Sequence, residues 1–318
     1  MPTHSLRLRI ALPALLCCAI SHAQIIPLPL ESKVGAKAEI TGTATHCAEP
    51  EFQPQVAAFI AALKKLGATR VGTGGGTEAT VTFSRDEKLP PTGYTISTDG
   101  FDLTVSASST TGSAHGAATL LQTVTVKDGQ ATWPRMEIKD EPEFAYRSFM
   151  VDMGRNPHSP ETLRDVVDMM WFYKANYLQL HLTDDQLFSW PSKAYPKLQS
   201  KHAGWTWDDF VELEAYSQAR GVTIIPELDV PGHSTILRGT HPEVFGEDTK
   251  TLASSPEAQK GVETLISEML EVFQSTPYFH IGADEAFGVP TEIQRDFINR
   301  LNEFVKSKGK RTIVWEGP

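Results

Sequence analysis

Gly221-Val-Thr-Ile-Ile-Pro-Glu-Leu-Asp-Val-Pro-Gly-His233 reads as a helix stop, a buried strand and a polar strand end in immediate succession. Gly221 closes a helix predicted over 206–220, the apolar run 222–228 predicts a strand, and Asp229 and His233 follow it. The same order recurs on both sides. Upstream, strands are predicted over 148–152 and 177–182. Ser159-Pro160 opens a helix between them whose inner face carries Leu163, Val166, Val167 and Met170. Downstream, Ser255-Pro256 opens a helix with Val262, Leu265, Ile266, Met269, Leu270 and Phe273 inward. Strands over 278–282 and 311–315 then bracket a helix over 291–308 that Gly309 ends. Repeated βα units of this length predict an α/β fold, a parallel sheet or a (β/α)8 TIM-type barrel.

Polar residues gather at the strand ends. Asp152 and Arg155 follow the first strand, and His181, Asp184 and Asp185 the second. Asp229 and His233 follow the third, Asp284 and Glu285 the fourth, Trp315 and Glu316 the fifth. Singly, an Asp after a strand is ordinarily a turn former or helix cap, and a lone His a surface or hydrogen-bonded core residue. Repetition at five successive ends predicts a functional mouth on the face where barrel enzymes carry their sites. Arg155 can fork two hydrogen bonds to a ligand, and Trp315 can wall off the apolar face of a sugar ring. Asp284 and Glu285 would point to opposite faces within a regular strand, but both can enter the mouth where the pleat breaks. Such a neighbouring pair suits one acid protonating a leaving oxygen while the other holds a second group of the substrate.

The 318 residues carry a net charge of −10, which excludes a nucleic-acid backbone as an expected partner. Residues 1–23 read as a secretory signal: Arg7 and Arg9 precede an apolar run over 10–20, and Ser21-His22-Ala23 forms a cleavage site. That run is too short to span a membrane. An exported, periplasmic or secreted bacterial protein is expected. Cys17 and Cys18 leave with the leader, so Cys47 has no partner for an internal disulfide. Residues 24–143 predict a small α+β domain. It has a helix over 53–66 with Val56, Phe59, Ile60 and Leu63 on one face, strands over 79–83, 94–97 and 101–106, a helix over 114–123 and a strand over 131–138. The glycine-rich run 71–77 lacks the Lys-Ser/Thr of a phosphate loop and reads as a turn. The catalytic βα region is expected over 144–318.

Four segments in order carry a family resemblance: Asp152-Met-Gly-Arg155, His181-Leu-Thr-Asp-Asp-Gln186, Pro226-Glu-Leu-Asp-Val-Pro-Gly-His233 and His280-Ile-Gly-Ala-Asp-Glu285. Together they resemble the family-20 glycoside hydrolases, the β-N-acetylhexosaminidases, whose front α+β domain is similar to residues 24–143. The resemblance implies exo-acting, retaining hydrolysis of terminal N-acetylglucosamine or N-acetylgalactosamine, with the sugar's acetamido oxygen as nucleophile. It implies Glu285 as general acid and later base, with its pKa raised, and Asp284 as the residue that orients the acetamido group. Arg155 would grip sugar hydroxyls, Asp184 and His233 would flank the acid, and Trp315 would wall the acetamido pocket. Asp152, His181 and Asp229 would support them. No metal or organic cofactor is implied.

Two positions depart from the family pattern. Ala283 stands where a second glycine is common, and Leu187-Phe188-Ser189 replaces a frequent Gly-Trp-Arg. The βα rhythm runs only from about residue 148 to Pro318, against roughly 250 residues for a whole barrel. About five strands of an incomplete barrel are therefore expected, with exposed edges, as in a truncated record or gene fragment. The missing part would supply a tyrosine, an aspartate, a tryptophan and a glutamate of the family's sugar pocket. Two other readings are a metal-dependent barrel hydrolase built on His181, Asp184, His233 and Asp284, and a non-catalytic N-acetylglucosamine-binding protein. The first lacks a short-spaced ligand motif.

Overall fold

The computed structural model describes residues 25–47, 49–73, 79–202 and 204–316. The predicted leader and residues 74–77 of the glycine-rich run lie outside them. Among the described residues no helix is long and apolar enough to cross a membrane.

A mixed seven-stranded sheet comes first. The predicted strands are found as Ala79–Arg85, Tyr94–Asp99, Asp102–Ala107 and Gln130–Asp140. Helices Gln53–Lys65 and Thr110–Thr123 bury Val56, Phe59, Leu63, Ala114, Ala117 and Leu120 against Phe83, Val105, Trp133 and Ile138. Sequence reading passed over the longest strand, Glu31–Cys47. It is rich in Ala, Gly and Lys, poor formers of isolated strands, and few of its side chains are buried. Backbone pairing holds it, antiparallel to Gln130–Asp140 and parallel to Ala79–Arg85.

Five parallel strands follow, in the lateral order Arg311–Ile313, Tyr278–His280, Thr223–Glu227, Tyr177–His181, Ser148–Asp152. They form an incomplete α/β barrel. Pro160–Phe172, Trp207–Gln218, Pro256–Val272 and Thr291–Ser307 are its main helices. Their starts follow the sequence signals: Ser159 and Ser255 accept backbone N–H bonds from Thr162 and Ala258, and Thr206 with Asp209 forms a capping box. Leu178, Leu180, Ile224 and Phe279 point outward into a core with Leu163, Val167, Leu213, Leu265, Met269 and Leu301. Three short helices between His233 and Ser255 were not anticipated. At four to six residues they are too brief to show a period.

The edge strands leave apolar side chains in solvent: Phe149 and Met150 on one side, Val314 just beyond the other. The two layers share one boundary. Trp171 of the first barrel helix packs in the front-domain core and donates its indole N–H to Ala114 O at 2.7 Å.

Candidate active site

Register assembles the site. Asp152, His181, Glu227, His280 and Ile313 lie side by side across the five strands. Side chains in such a row share a face, here the barrel interior, while the intervening Leu180 and Phe279 face the helices.

Asp184, buried beyond the second strand, gathers three side-chain partners. Its Oδ2 lies 2.7 Å from Arg155 Nη2 and 2.9 Å from His181 Nε2, and its Oδ1 stands 3.4 Å from His233 Nδ1. Arg155 also bonds Asp152 Oδ2 through Nη1 at 2.9 Å, leaving its guanidinium half exposed at the mouth. The other face of His181 meets Glu227, Nδ1 to Oε1 at 3.1 Å. Burial disfavours the imidazolium, but the Glu227 bond and charge, reinforced by Asp184, outweigh it and raise the His181 pKa to about 9.

The break at the fourth strand brings Asp284 and Glu285 into the mouth together, as expected for a broken pleat. Gly282, Ala283 and Glu285 all adopt positive φ, 66°, 78° and 44°. Neighbouring groups fix this unusual path. Ala283 N–H donates to Asp229 Oδ1 at 3.2 Å, Ala283 O accepts from Gln294 Nε2 at 2.8 Å, and Gly282 O accepts from Trp315 N at 2.9 Å. The methyl of Ala283 is thus accommodated, although in the left-handed region. His233 reaches between the acids from the third strand's loop. Its Nε2 lies 3.3 Å from Glu285 Oε2 and 4.0 Å from Asp284 Oδ1. The Glu285 side chain is 57% exposed and that of Asp284 32%, yet Asp284 Oδ1 is itself buried and has no hydrogen-bond partner among the described residues. Asp229 lies buried behind them. Burial, then the charges of Glu227 and Asp284, push its carboxyl up to about 8, so it is largely protonated at neutral pH.

Trp315 is half-buried beside the site, tilted against His280 at 4.7 Å between ring centroids, and its indole N–H is committed to Glu227 Oε1 at 2.8 Å. In Leu187-Phe188-Ser189, which stands where the family often has Gly-Trp-Arg, Phe188 and Ser189 are buried, and Ser189 Oγ donates to Met153 O. Sequence reading also missed Glu227, Gln179 and His280 as members of the cluster. Their signal was a polar residue at alternate positions of an otherwise apolar strand, Gln179 with His181 and Glu227 with Asp229.

Among the described residues three overlapping groups could approach a cation: His181, Asp184, Asp229; Asp184, Asp185, His233; and Asp229, His233, Asp284. In the two groups that include His181 or Asp229 the donor chemistry fits poorly, because a His181 imidazolium held between two carboxylates has no lone pair to offer and Asp229 is raised towards its neutral form.

A parallel βα domain with an acid pair and its polar partners at the C-terminal strand ends is the architecture of a barrel enzyme's active site. The profile described as glycosyl hydrolase family 20, catalytic domain, matches residues 144–289, and that described as glycosyl hydrolase family 20, domain 2, matches residues 22–141. The chain belongs to glycosyl hydrolase family 20. It is 34% identical over 253 residues to a beta-hexosaminidase of Akkermansia muciniphila, covering 68% of this chain and 50% of the relative. With a beta-hexosaminidase of Vibrio furnissii it shares 28% over 292 residues, covering 75% and 48%. The chain therefore spans about half the length of these curated relatives. Its fold is that of the family-20 exo-β-N-acetylglucosaminidase of Vibrio harveyi solved with N-acetylglucosamine. The TM-score is 0.81 and the identity 23%, over 95% of this chain and 56% of that one.

Proposed function

We propose that this chain is the acid-bearing part of an exported, retaining, exo-acting β-N-acetylhexosaminidase. The observation that carries the reading is Asp284 Oδ1, a buried acceptor without a partner among the described residues, beside the solvent-facing Glu285. An acetamido N–H would satisfy it, turning the acetamido oxygen towards the anomeric carbon. Glu285 then protonates the leaving oxygen and afterwards takes a proton from the attacking water. His233, 3.3 Å away, supports either state. The half-exposed Arg155 suits the hydroxyls of a terminal sugar, and Trp315 the rim of the acetamido pocket. The family membership and the beta-hexosaminidase relatives support the same substrate class. The basic and apolar leader over 1–23 supports export.

The test is hydrolysis of aryl N-acetyl-β-glucosaminides and -galactosaminides by the purified protein. Glu285→Gln is expected to slow turnover most for poor leaving groups, by about 100- to 10,000-fold, the usual contribution of a general acid. Asp284→Asn should depress good and poor leaving groups alike. Wild-type rates in both variants would overturn the assignment, and sugar binding with no turnover in the parent would identify a binding protein instead.

A further inference from the structure

Glu227 is fully buried at the centre of the lateral row of strand-end residues, and its carboxylate touches both sides of the site. Oε2 accepts from Gln179 Nε2 at 2.7 Å, Oε1 accepts from Trp315 Nε1 at 2.8 Å, and His181 Nδ1 lies 3.1 Å from Oε1. His280 Nδ1 is also near, at 3.3 Å, but accepts the Gly282 N–H at 3.0 Å and so serves the turn that delivers Asp284 and Glu285. Two chains of contacts leave this carboxylate. One runs through His181 to Asp184 and on to Arg155 and His233. The other runs directly to the Trp315 indole.

We propose that Glu227 is a positioning residue that sets the Arg155–Asp184–His233 side and the Trp315 side of the site in one geometry. A neutral acceptor could still take the Trp315 N–H, but it would not hold a charged His181 between two carboxylates. The negative charge keeps His181 doubly protonated, and only in that form does His181 donate to Asp184 and Glu227 at once. Asp184, neutralised from behind, is left able to hold Arg155 and His233 together. The proposal concerns the geometry of the cluster, and only its consequence for sugar binding rests on the hydrolase reading.

The experiment is Glu227→Gln in the whole protein, read first by NMR of the His181 ring and of the Trp315 indole, assigned with His181→Gln and Trp315→Phe. The expected result is a His181 titration lowered by about one to three pH units, the usual effect of an adjacent opposite charge, together with a shifted and broadened Trp315 N–H resonance. Glu227→Asp should restore part of the His181 shift. With an aryl glycoside, Glu227→Gln should raise KM for the N-acetyl sugar and displace the pH profile, which general loosening of the fold would not do. Unchanged His181 titration and an unchanged Trp315 resonance in folded Glu227→Gln would overturn the proposal. If that variant does not fold, Glu227→Gln/His181→Gln removes the uncompensated charge. A Trp315 resonance identical to the parent's in this double variant would also overturn it. Absence of hydrolysis in the parent would sink the enzymatic reading while the NMR comparison still decided the role of Glu227.

Discussion

A β-carbon added to Gly282 would fall 1.7 Å from Oδ1 of Asp229. The strand-four turn and the strand-three carboxyl are therefore built against each other with no room for a methyl. Gly282 also has φ of 66°. Gly282→Ala should cost roughly 3 kcal/mol or more, combining left-handed strain with overpacking, measured as a lower urea midpoint. At the next position the sense reverses. Ala283→Gly removes left-handed strain at the expense of unfolded-chain entropy, so a change within about 1 kcal/mol is expected. Equal losses from the two substitutions would contradict the close approach.

Asp229 titrates at about 8 in the fold, against about 3.9 in an unfolded chain. A group raised on folding contributes stability that is complete below its unfolded value and lost as pH rises through the folded one. Asp229→Asn keeps an acceptor for Ala283 N–H but cannot ionise. Its melting temperature relative to the parent should rise steadily between about pH 4 and pH 8. Parallel melting curves across that range would show that Asp229 is not held neutral.

His181 follows the same sign over a different window. Its pKa of about 9 in the fold exceeds an unfolded value of about 6.5, so its contribution is complete below that value and lost as pH passes 9. His181→Gln leaves Glu227 and Asp184 without their shared cation. A loss of about 3–5 kcal/mol is expected below neutrality, narrowing towards alkaline pH. Chemical denaturation at two pH values checks both points.

The joint between the layers rests on a second buried ion pair. Lys174 Nζ lies 3.0 Å from Asp140 Oδ2 and 2.8 Å from Tyr94 OH, and both charged side chains are largely inaccessible. Lys174→Met should destabilise by about 3–5 kcal/mol through the stranded carboxylate, and adding Asp140→Asn should recover part of it. With Asp140→Asn alone completing the cycle, losses that simply add in the double variant would show that the pair is not coupled.

The barrel-type βα order was legible because each helix carried a local start or stop signal. Ser159-Pro160, Ser255-Pro256, Gly221 and Gly309 act over one turn of chain, and the apolar faces they bracket repeat at 3.6 residues. Strand Glu31–Cys47 was not legible, since its partners lie about 40 to 100 residues away along the chain and its own residues have little strand preference. At the site, the order of motifs placed Asp152, Arg155, His181, Asp184, Asp229, His233, Asp284, Glu285 and Trp315 at strand ends. Local spacing could say no more than that. Which of them carry charge was decided by the tertiary structure. Register set Glu227 beside His181, and burial removed water from both and from Asp229; desolvation disfavoured charge throughout, and pairing outweighed it at His181 but not at Asp229. Sequence fixes the types of ionisable group and their order, but a proton's affinity depends on distances and solvent access that exist only once the strands are side by side.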